Sequence, residues 1–230
     1  MILITLAGDS IRFFSAGYSV VKYKLILGNK SILESILGYI PRNEKVLLVL
    51  NSRFNDYEFA YQLLESMAFD LFRIVEIDKT SGQFESAILG LEEAKDFWSD
   101  SEPLTIYNGD TIRKLNFWHF NDCDGYIEVF ESEGNHWSFV DNIGKVNQVV
   151  EKERISTYCS SGLYFFKYIK YITEFGNEYI NSSLGESYIA PFYNILINKG
   201  LNITSGNVAK TNFIFCGTPS EYAEACKLTL

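Results

Sequence analysis

Two polar segments that each follow an apolar run carry the side chains best suited to chemistry in this chain. The first follows the run Ile2–Leu6 and contains Gly8 and Arg12. A small residue at such a point lets backbone N–H groups approach a phosphate, and an arginine adds a fixed positive charge. A glycine after a strand is also commonly only a turn. The segment is therefore a candidate phosphate-binding loop.

The second segment, Asn108-Gly109-Asp110, follows the apolar run 104–107. A carboxylate at the end of a strand can hold Mg²⁺, which prefers one or two carboxylates together with substrate phosphates. An aspartate at this place is also a frequent helix cap or turn residue. Ligands of open α/β sheets bind beyond the carboxyl ends of the strands, so both segments lie where a ligand would bind.

The elements that must position these segments alternate along the first half. Short apolar runs predict strands, and runs of helical periodicity between them predict helices. The strands are predicted at 2–6, 46–50, 72–77 and 104–107, and the helices at 32–37, 59–67 and 84–97. This alternation is typical of βαβ units and of a mainly parallel sheet.

The second half changes character, with short β-like runs separated by turn residues. Strands are predicted at 126–130, 137–140, 146–150, 162–166 and 208–215, with a hairpin turn at 142–145, a helix over 190–198 and a last helix from Pro219. We therefore predict an α/β fold. It has a Rossmann-like mixed, mainly parallel sheet flanked by helices, with a smaller α+β substrate-binding part in the second half.

Composition excludes several classes of protein. The 230 residues carry a formal net charge of −9, which argues against nucleic acid and anionic membranes as partners. No apolar run approaches ~20 residues, so no membrane insertion is expected. The four cysteines form no C-x-x-C pair, and reduced thiols in a cytoplasmic protein are expected. The acidic, aromatic-rich surface permits a homodimer.

Nine short motifs, in order along the chain, resemble those of bacterial sugar-phosphate nucleotidyltransferases, above all the short capsule and surface-polysaccharide members. The segment 6–13, L-A-G-D-S-I-R-F, resembles A-G-x-G-x-R-F, and 16–22, A-G-Y-S-V-V-K, resembles A-G-Y-T-x-P-K. The N-G-D of 108–110 resembles the metal motif N-x-D. The others are G-N-K-S-I-L-E (28–34), T-S-G-Q (80–83), E-K (151–152), S-G-L-Y-F-F (161–166), E-S-Y-I-A-P-F-Y-N (186–194) and G-T-P-S-E (217–221).

This resemblance implies a reaction in which a phosphate monoester attacks the α-phosphate of an NTP. Pyrophosphate leaves and an NDP-sugar or NDP-polyol forms, with Mg²⁺ as cofactor. CTP and dTTP are favoured because the turn at 80–83 is small, and the acceptor is a phosphorylated sugar or polyol. The whole chain, 1–230, would be one nucleotidyltransferase domain, with a nucleotide-binding half (1–112) and an acceptor-binding half (113–230).

The same resemblance implies a role for each matched residue. Arg12 would contact the β- and γ-phosphates, Lys22 would neutralise the α-phosphate, and Asp110 would bind Mg²⁺. The nucleotide would be held by Leu6, Ala7, Gly8, Gly82, Gln83 and Asn108. The acceptor would be held by Glu151, Lys152, Gly162 and Glu186.

Two departures from the family pattern leave alternatives open. Ser10 stands where the first motif has its second glycine, so the loop is expected to be less permissive of positive φ. Phe215 stands where many relatives carry a second metal carboxylate, so Asp110 with phosphates and waters would be the whole metal site. The alternatives are a nucleotide-sugar-dependent glycosyltransferase, although Asn108 breaks the D-x-D motif of such enzymes, and a catalytically degenerate nucleotide-binding protein.

Overall fold

A computed structural model describes residues 1–115, 120, 122–182 and 185–228. In chain order its strands are β1 (Ile2–Leu6), β2 (Ile26–Leu27), β3 (Lys30–Ser31), β4 (Lys45–Asn51), β5 (Leu71–Ile77), β6 (Leu104–Asn108), β7 (Thr111–Arg113), β8 (Gly125–Glu131), β9 (Ser138–Val140), β10 (Gly144–Lys145), β11 (Val149–Glu151), β12 (Tyr158–Phe166), β13 (Ile203–Asn207) and β14 (Phe213–Phe215). Its α-helices are α1 (Ile11–Ser15), α2 (Ile32–Leu37), α3 (Tyr57–Ser66), α4 (Gln83–Glu93), α5 (Lys170–Ser182), α6 (Tyr193–Asn198) and α7 (Pro219–Leu228).

One large sheet runs through the molecule in the strand order β10-β13-β8-β12-β6-β1-β4-β5. β1 lies parallel to β4 and β6, and β4 lies parallel to β5. β12 is antiparallel to both β6 and β8, while β8 and β13 are parallel. The predicted α/β fold with a mixed, mainly parallel sheet is therefore confirmed.

The central strands are buried on both faces, which explains why their sequences lack polar alternation. In β4, Leu47 and Val49 belong to an apolar cluster that includes residues of α4, α5 and α6. Leu48 and Leu50 belong to a second cluster with residues of α2, α3 and α7. Full burial of each such side chain stabilises the fold by roughly 1.5–3 kcal/mol.

Three predicted elements differ from the observed ones. The predicted strand at 208–215 is wrong in extent, because only Phe213–Phe215 form a strand, β14, and a 3₁₀ turn (Lys210–Asn212) precedes it. The strand β13 lies before the predicted range and ends at Asn207. β13 pairs with β8, whereas β14 pairs with β7 in a separate two-stranded sheet. Of the predicted strand at 146–150, only 149–150 lie in a strand, β11, which pairs with β9. β10 lies instead within the predicted turn at 142–145 and pairs with β13. The helix over 84–97 ends at Glu93 and is followed by a 3₁₀ turn.

The parallel arrangement of β1, β4, β5 and β6 brings their carboxyl ends to one edge of the sheet. The loops that follow these strands therefore meet there, including the one after β1 and the one after β6. The adjacent β12 adds the second half of the chain to the same sheet. Within the described residues, no helix combines the length and apolar character needed to span a bilayer.

Candidate active site

A cavity of about 460 Å³ lies at this edge of the sheet. Its walls come from the loops after β1, β5 and β6, from β11 and β12, and from the segment 186–189. The predicted site residues that line it are Leu6, Ala7, Gly8, Arg12, Lys22, Gly82, Gln83, Asn108, Asp110, Glu151 and Glu186. Lys152 and Gly162 are not among its lining residues. The fold thus gathers residues spread from position 6 to position 186 into one cavity.

The loop after β1 keeps a left-handed residue despite the loss of the glycine. Ser10 has φ 51° and ψ 22°, and its hydroxyl accepts a hydrogen bond from the Lys22 backbone N–H at 3.1 Å. The left-handed conformation costs a non-glycine residue roughly 1–2 kcal/mol, which this hydrogen bond partly offsets. Ser10 therefore preserves the turn and also ties it to the segment that carries Lys22.

Lys22 and Asp110 form an ion pair at the cavity wall. The Lys22 Nζ lies 2.5 Å from the Asp110 Oδ2. The side chain of Lys22 is 25% exposed and that of Asp110 is 21% exposed. The Asp110 carbonyl accepts a hydrogen bond from the Cys216 N–H at 2.8 Å, which fixes the backbone of the loop after β6. A cation and a carboxylate that the sequence separates by 88 positions are thus brought together.

The surroundings of Asp110 leave room for a metal ion. A Cβ on Gly217 would lie 3.3 Å from the Asp110 Oδ2 and 3.3 Å from the Glu221 Oε2, so the missing side chain keeps this space open. Glu221 itself caps α7 by accepting the Thr218 N–H at 2.9 Å. No group of three or more His, Cys, Asp or Glu suited to a metal occurs in the described part of the chain. These residues fit an ion held by one protein carboxylate and by substrate oxygens.

Phe215, where the motif resemblance implied the loss of a carboxylate, belongs to an aromatic cluster at the cavity wall. Its ring centroid lies 5.0 Å from that of Phe130 and 5.1 Å from that of Trp137. The Trp137 Nε1–H is buried and finds no hydrogen-bond acceptor among the described residues. At Phe215 the cavity wall therefore presents an aromatic ring and no metal ligand.

The turn before α4 joins the two sides of the cavity. The Gln83 amide nitrogen donates to the Thr5 Oγ1 at 2.9 Å and to the Asn108 Oδ1 at 2.7 Å. A Cβ on Gly82 would lie 2.5 Å from the Ser187 backbone nitrogen and oxygen. Only glycine therefore permits the segment 186–189 to pack against this turn.

Glu151 and Lys152, the predicted acceptor residues, have different surroundings. Burial raises the pKa of Glu151, and a hydrogen bond from the Ser138 hydroxyl opposes that rise. The Lys152 ammonium donates to the Tyr188 hydroxyl, which in turn donates to the Glu186 carboxylate. Lys152 is thus held at the rim, 49% exposed, rather than on the cavity wall.

Gly162 supports a neighbouring residue from outside the cavity. It has φ +91°, and a Cβ there would lie 2.5 Å from the Asn108 Cγ and Nδ2. It sits where the pairing of β12 with β8 shifts register between Ser160 and Tyr164. The observed contact of Gly162 is therefore with a predicted nucleotide-binding residue.

The sequence analysis did not single out several side chains that the fold places at the cavity. Lys79 follows β5 and forms an ion pair with Asp9, with the Nζ 2.8 Å from the Oδ2. Its position after a parallel strand is a signal that could have identified it. Tyr188 and Ser161 also line the cavity, and their places within the motifs 186–194 and 161–166 are the signal that could have identified them.

Comparison with solved structures shows the same fold in known enzymes. The nucleoside-diphosphate-sugar pyrophosphorylase from Vibrio cholerae is 36% identical, with a TM-score of 0.90, covering 99% of this chain and 100% of that one. A protein assigned as a glucose-1-phosphate thymidylyltransferase from Bacillus anthracis has 15% identity and a TM-score of 0.75 (99% and 94% covered). The inositol-1-phosphate CTP transferase from T. maritima has 12% identity and a TM-score of 0.77 (98% and 94% covered).

The two distant structures share the fold alone, whereas the Vibrio cholerae protein is similar in sequence over its full length. No protein-family model matches the chain, and no curated protein does. The fold and this full-length similarity define the class of the protein as a nucleotidyltransferase. The chain belongs to the nucleoside-diphosphate-sugar pyrophosphorylase family, so the resemblance seen in its motifs is confirmed.

Proposed function

We propose that this protein transfers the nucleoside monophosphate of an NTP to a sugar phosphate or a similar phosphate monoester. The products are pyrophosphate and an NDP-sugar or NDP-polyol. The observation that carries the proposal is the meeting of Arg12, Lys22 and Asp110 around one cavity, beside the loop after β1. Two cations and a carboxylate are the groups that phosphoryl chemistry requires.

The reaction needs little covalent help from the protein. An oxygen of the acceptor phosphate forms a bond to the α-phosphorus, and the bond from that phosphorus to the pyrophosphate oxygen breaks. Positioning and charge neutralisation supply most of the acceleration in such reactions. Lys22 would exchange part of its contact with Asp110 for the α-phosphate, while Arg12 would hold the β- and γ-phosphates.

Asp110 would hold Mg²⁺, which supplies further neutralisation of phosphate charge when bound. The open space beside Gly217 and the position of Asp110 at the cavity wall support this assignment. Phe215 offers no ligand, so the protein would contribute Asp110 and leave the remaining positions to phosphates and water.

The substrates follow from the two sides of the cavity. Residues of 1–112 would bind the NTP, with CTP or dTTP favoured, and residues of 113–230 would bind the acceptor. Glu151 and Glu186 suit substrate hydroxyls, and Lys152 would reach the acceptor phosphate by leaving Tyr188. A cytoplasmic enzyme that feeds surface-polysaccharide synthesis is the setting that the motif resemblance implies.

A crossed screen tests the proposal: each common NTP is combined with phosphorylated sugars and polyols and with Mg²⁺, and pyrophosphate release is measured. We expect one pair to give pyrophosphate. Release of NDP or NMP from a nucleotide sugar would instead indicate a glycosyltransferase. NTP binding without any release would indicate a degenerate protein.

Substitutions then assign the residues. Asp110→Asn should lower kcat by about 10²-fold or more, on the scale of removing one preorganised electrostatic stabiliser. Asp96→Asn is the matched control, because Asp96 also forms an ion pair, with Arg73, and does not line the cavity. Wild-type turnover in Asp110→Asn would exclude the assigned role.

Lys22 and Arg12 should differ in kinetics because they act at different moments. Charge on the α-phosphate grows only during attack, so Lys22→Ala should mainly lower kcat. Arg12→Ala should weaken NTP binding and also slow turnover, because its fork contacts the leaving pyrophosphate. Steady-state kinetics with direct NTP titration distinguish the two. A loss of NTP affinity with unchanged kcat in Lys22→Ala would make Lys22 a binding residue only.

A further inference from the structure

A buried ion pair, Arg113–Glu128, adjoins the cavity without lining it. The side chains are 1% and 0% exposed. The Arg113 Nε lies 2.9 Å from both Glu128 carboxylate oxygens, and Nη2 lies 2.7 Å from Oε2. A buried pair of this kind commonly adds little net stability compared with well-packed apolar residues of the same volume. A geometric purpose is therefore a better explanation for it than stability.

Arg113 anchors β7, the short strand that begins directly after the predicted metal carboxylate, Asp110. It is the last residue of β7, three positions after Asp110, and its Nη1 also donates to the Leu115 carbonyl at 2.8 Å. β7 pairs with β14, and the chain after β14 returns the Cys216 N–H to the Asp110 carbonyl. Movement of Arg113 would therefore be passed along a short, hydrogen-bonded backbone to Asp110.

Glu128 also reaches the irregular part of β12. Its Oε1 accepts a hydrogen bond from the Ser161 hydroxyl at 2.9 Å. Ser161 lies between Ser160 and Tyr164, where the ladder to β8 shifts register. A bulge leaves residues without ladder partners, so this side-chain hydrogen bond fixes a segment that the sheet does not. The next residue, Gly162, packs against the Asn108 side chain.

We propose that Arg113, Glu128 and Ser161 form a positioning network for the reaction. Glu128 ties β7, which follows Asp110 directly, to the bulge that supports Asn108. It thereby holds the Asp110 carboxylate and the Asn108–Gln83 pair in one geometry. The proposal rests on the proposed function, since it assigns a purpose within the same site. Arg113 and Glu128 touch no part of the cavity, so they act through Asp110, Ser161 and Asn108.

Ser161→Ala is the most informative variant. It removes one hydrogen bond and leaves the ion pair intact, whereas Glu128→Gln would leave the buried Arg113 charge without its full partner and could prevent folding. Ser205→Ala is the matched control. Ser205 is another buried serine of the same sheet, its hydroxyl donates to the Asn142 carbonyl at 2.6 Å, and it does not line the cavity.

Both variants should lower Tm to a similar extent, because each loses one buried hydrogen bond. Measured well below Tm, Ser161→Ala should lose about tenfold in kcat, equivalent to about 1.4 kcal/mol. Ser205→Ala should keep the wild-type kcat. If Ser161→Ala also keeps the wild-type kcat while its Tm falls, the network is only structural and the proposal is overturned.

A double-substitution cycle tests the route through Asn108. If Ser161 acts through that residue, the Ser161→Ala/Asn108→Ala variant should have the kcat of Asn108→Ala alone. Full additivity of the two losses in log kcat would contradict the route.

Hydrogen–deuterium exchange separates this proposal from the proposed function, because it needs no substrate. Peptides that cover 107–113 and 159–163 should exchange faster in Ser161→Ala than in Ser205→Ala. If no combination of NTP and phosphate monoester gives pyrophosphate, the proposed function fails. The exchange experiment still decides whether Ser161 holds the segments 107–113 and 159–163 in place. Unchanged exchange of these two segments in Ser161→Ala would refute the positioning network.

Discussion

The close packing of Gly162 against Asn108 allows a quantitative prediction. Gly162→Ala should destabilise the protein by two separable effects. A non-glycine residue at φ +91° costs roughly 1–2 kcal/mol. The new Cβ would also lie 2.5 Å from the Asn108 Cγ and 2.8 Å from its Cβ, and such overpacking typically costs about 1–3 kcal/mol. We therefore expect a loss of about 2–5 kcal/mol in the free energy of unfolding.

Gly200→Ala isolates the backbone effect. Gly200 has φ +81°, and a Cβ at this position would meet no neighbouring atom within 4 Å, so only the conformational cost of about 1–2 kcal/mol applies. Urea unfolding of both variants gives the steric cost as the difference between them. In addition, Gly162→Ala should lower kcat because Asn108 is displaced, whereas Gly200→Ala should not. Equal stability losses in the two variants would refute the close approach to Asn108.

Three further predictions concern titration and substrate binding. Burial raises the pKa of Glu151, so the ionised carboxylate destabilises the folded state at a pH above the ordinary carboxyl pKa. Glu151→Gln removes this charge and should raise Tm at pH 7. The gain in Tm should vanish as the pH falls below about 4, where the carboxyl group is protonated in both states. An equal or lower Tm at pH 7 would contradict this. Lys152→Ala should raise the acceptor KM far more than the NTP KM; the reverse pattern would remove Lys152 from the acceptor site. Burial raises the pKa of the Cys216 thiol to about 12, so iodoacetamide at pH 8 should modify Cys216 only after unfolding, as peptide mapping can show.

The sequence by itself determined the class of fold and the family. Apolar runs such as Ile2–Leu6 report burial on both faces, which is a local property that composition and periodicity reveal. The rule that ligands bind at the carboxyl ends of parallel strands then located the segments around Gly8 and Asp110. The order of nine short motifs indicated the family, and a full-length relative at 36% identity confirmed it.

Strand partners were decided by the tertiary structure. The predicted strand 208–215 contains β14 but not β13, which ends at Asn207, and the two strands pair with different partners in different sheets. Pairing depends on residues far away in the chain, so a local pattern does not contain it.

The finer organisation of the site was also decided by the tertiary structure. Arginine and glutamate are rarely fully buried, so nothing in the sequence near Arg113 or Glu128 predicts their ion pair. Lys152 matches a family motif, yet Tyr188 holds its ammonium at the rim of the cavity. Gly162 matches another motif, yet the structure places it against the side chain of Asn108, a residue of a different strand. The space between them is too small for any side chain at position 162. Each of these interactions depends on how the whole sheet packs, which is why only the folded chain reveals them.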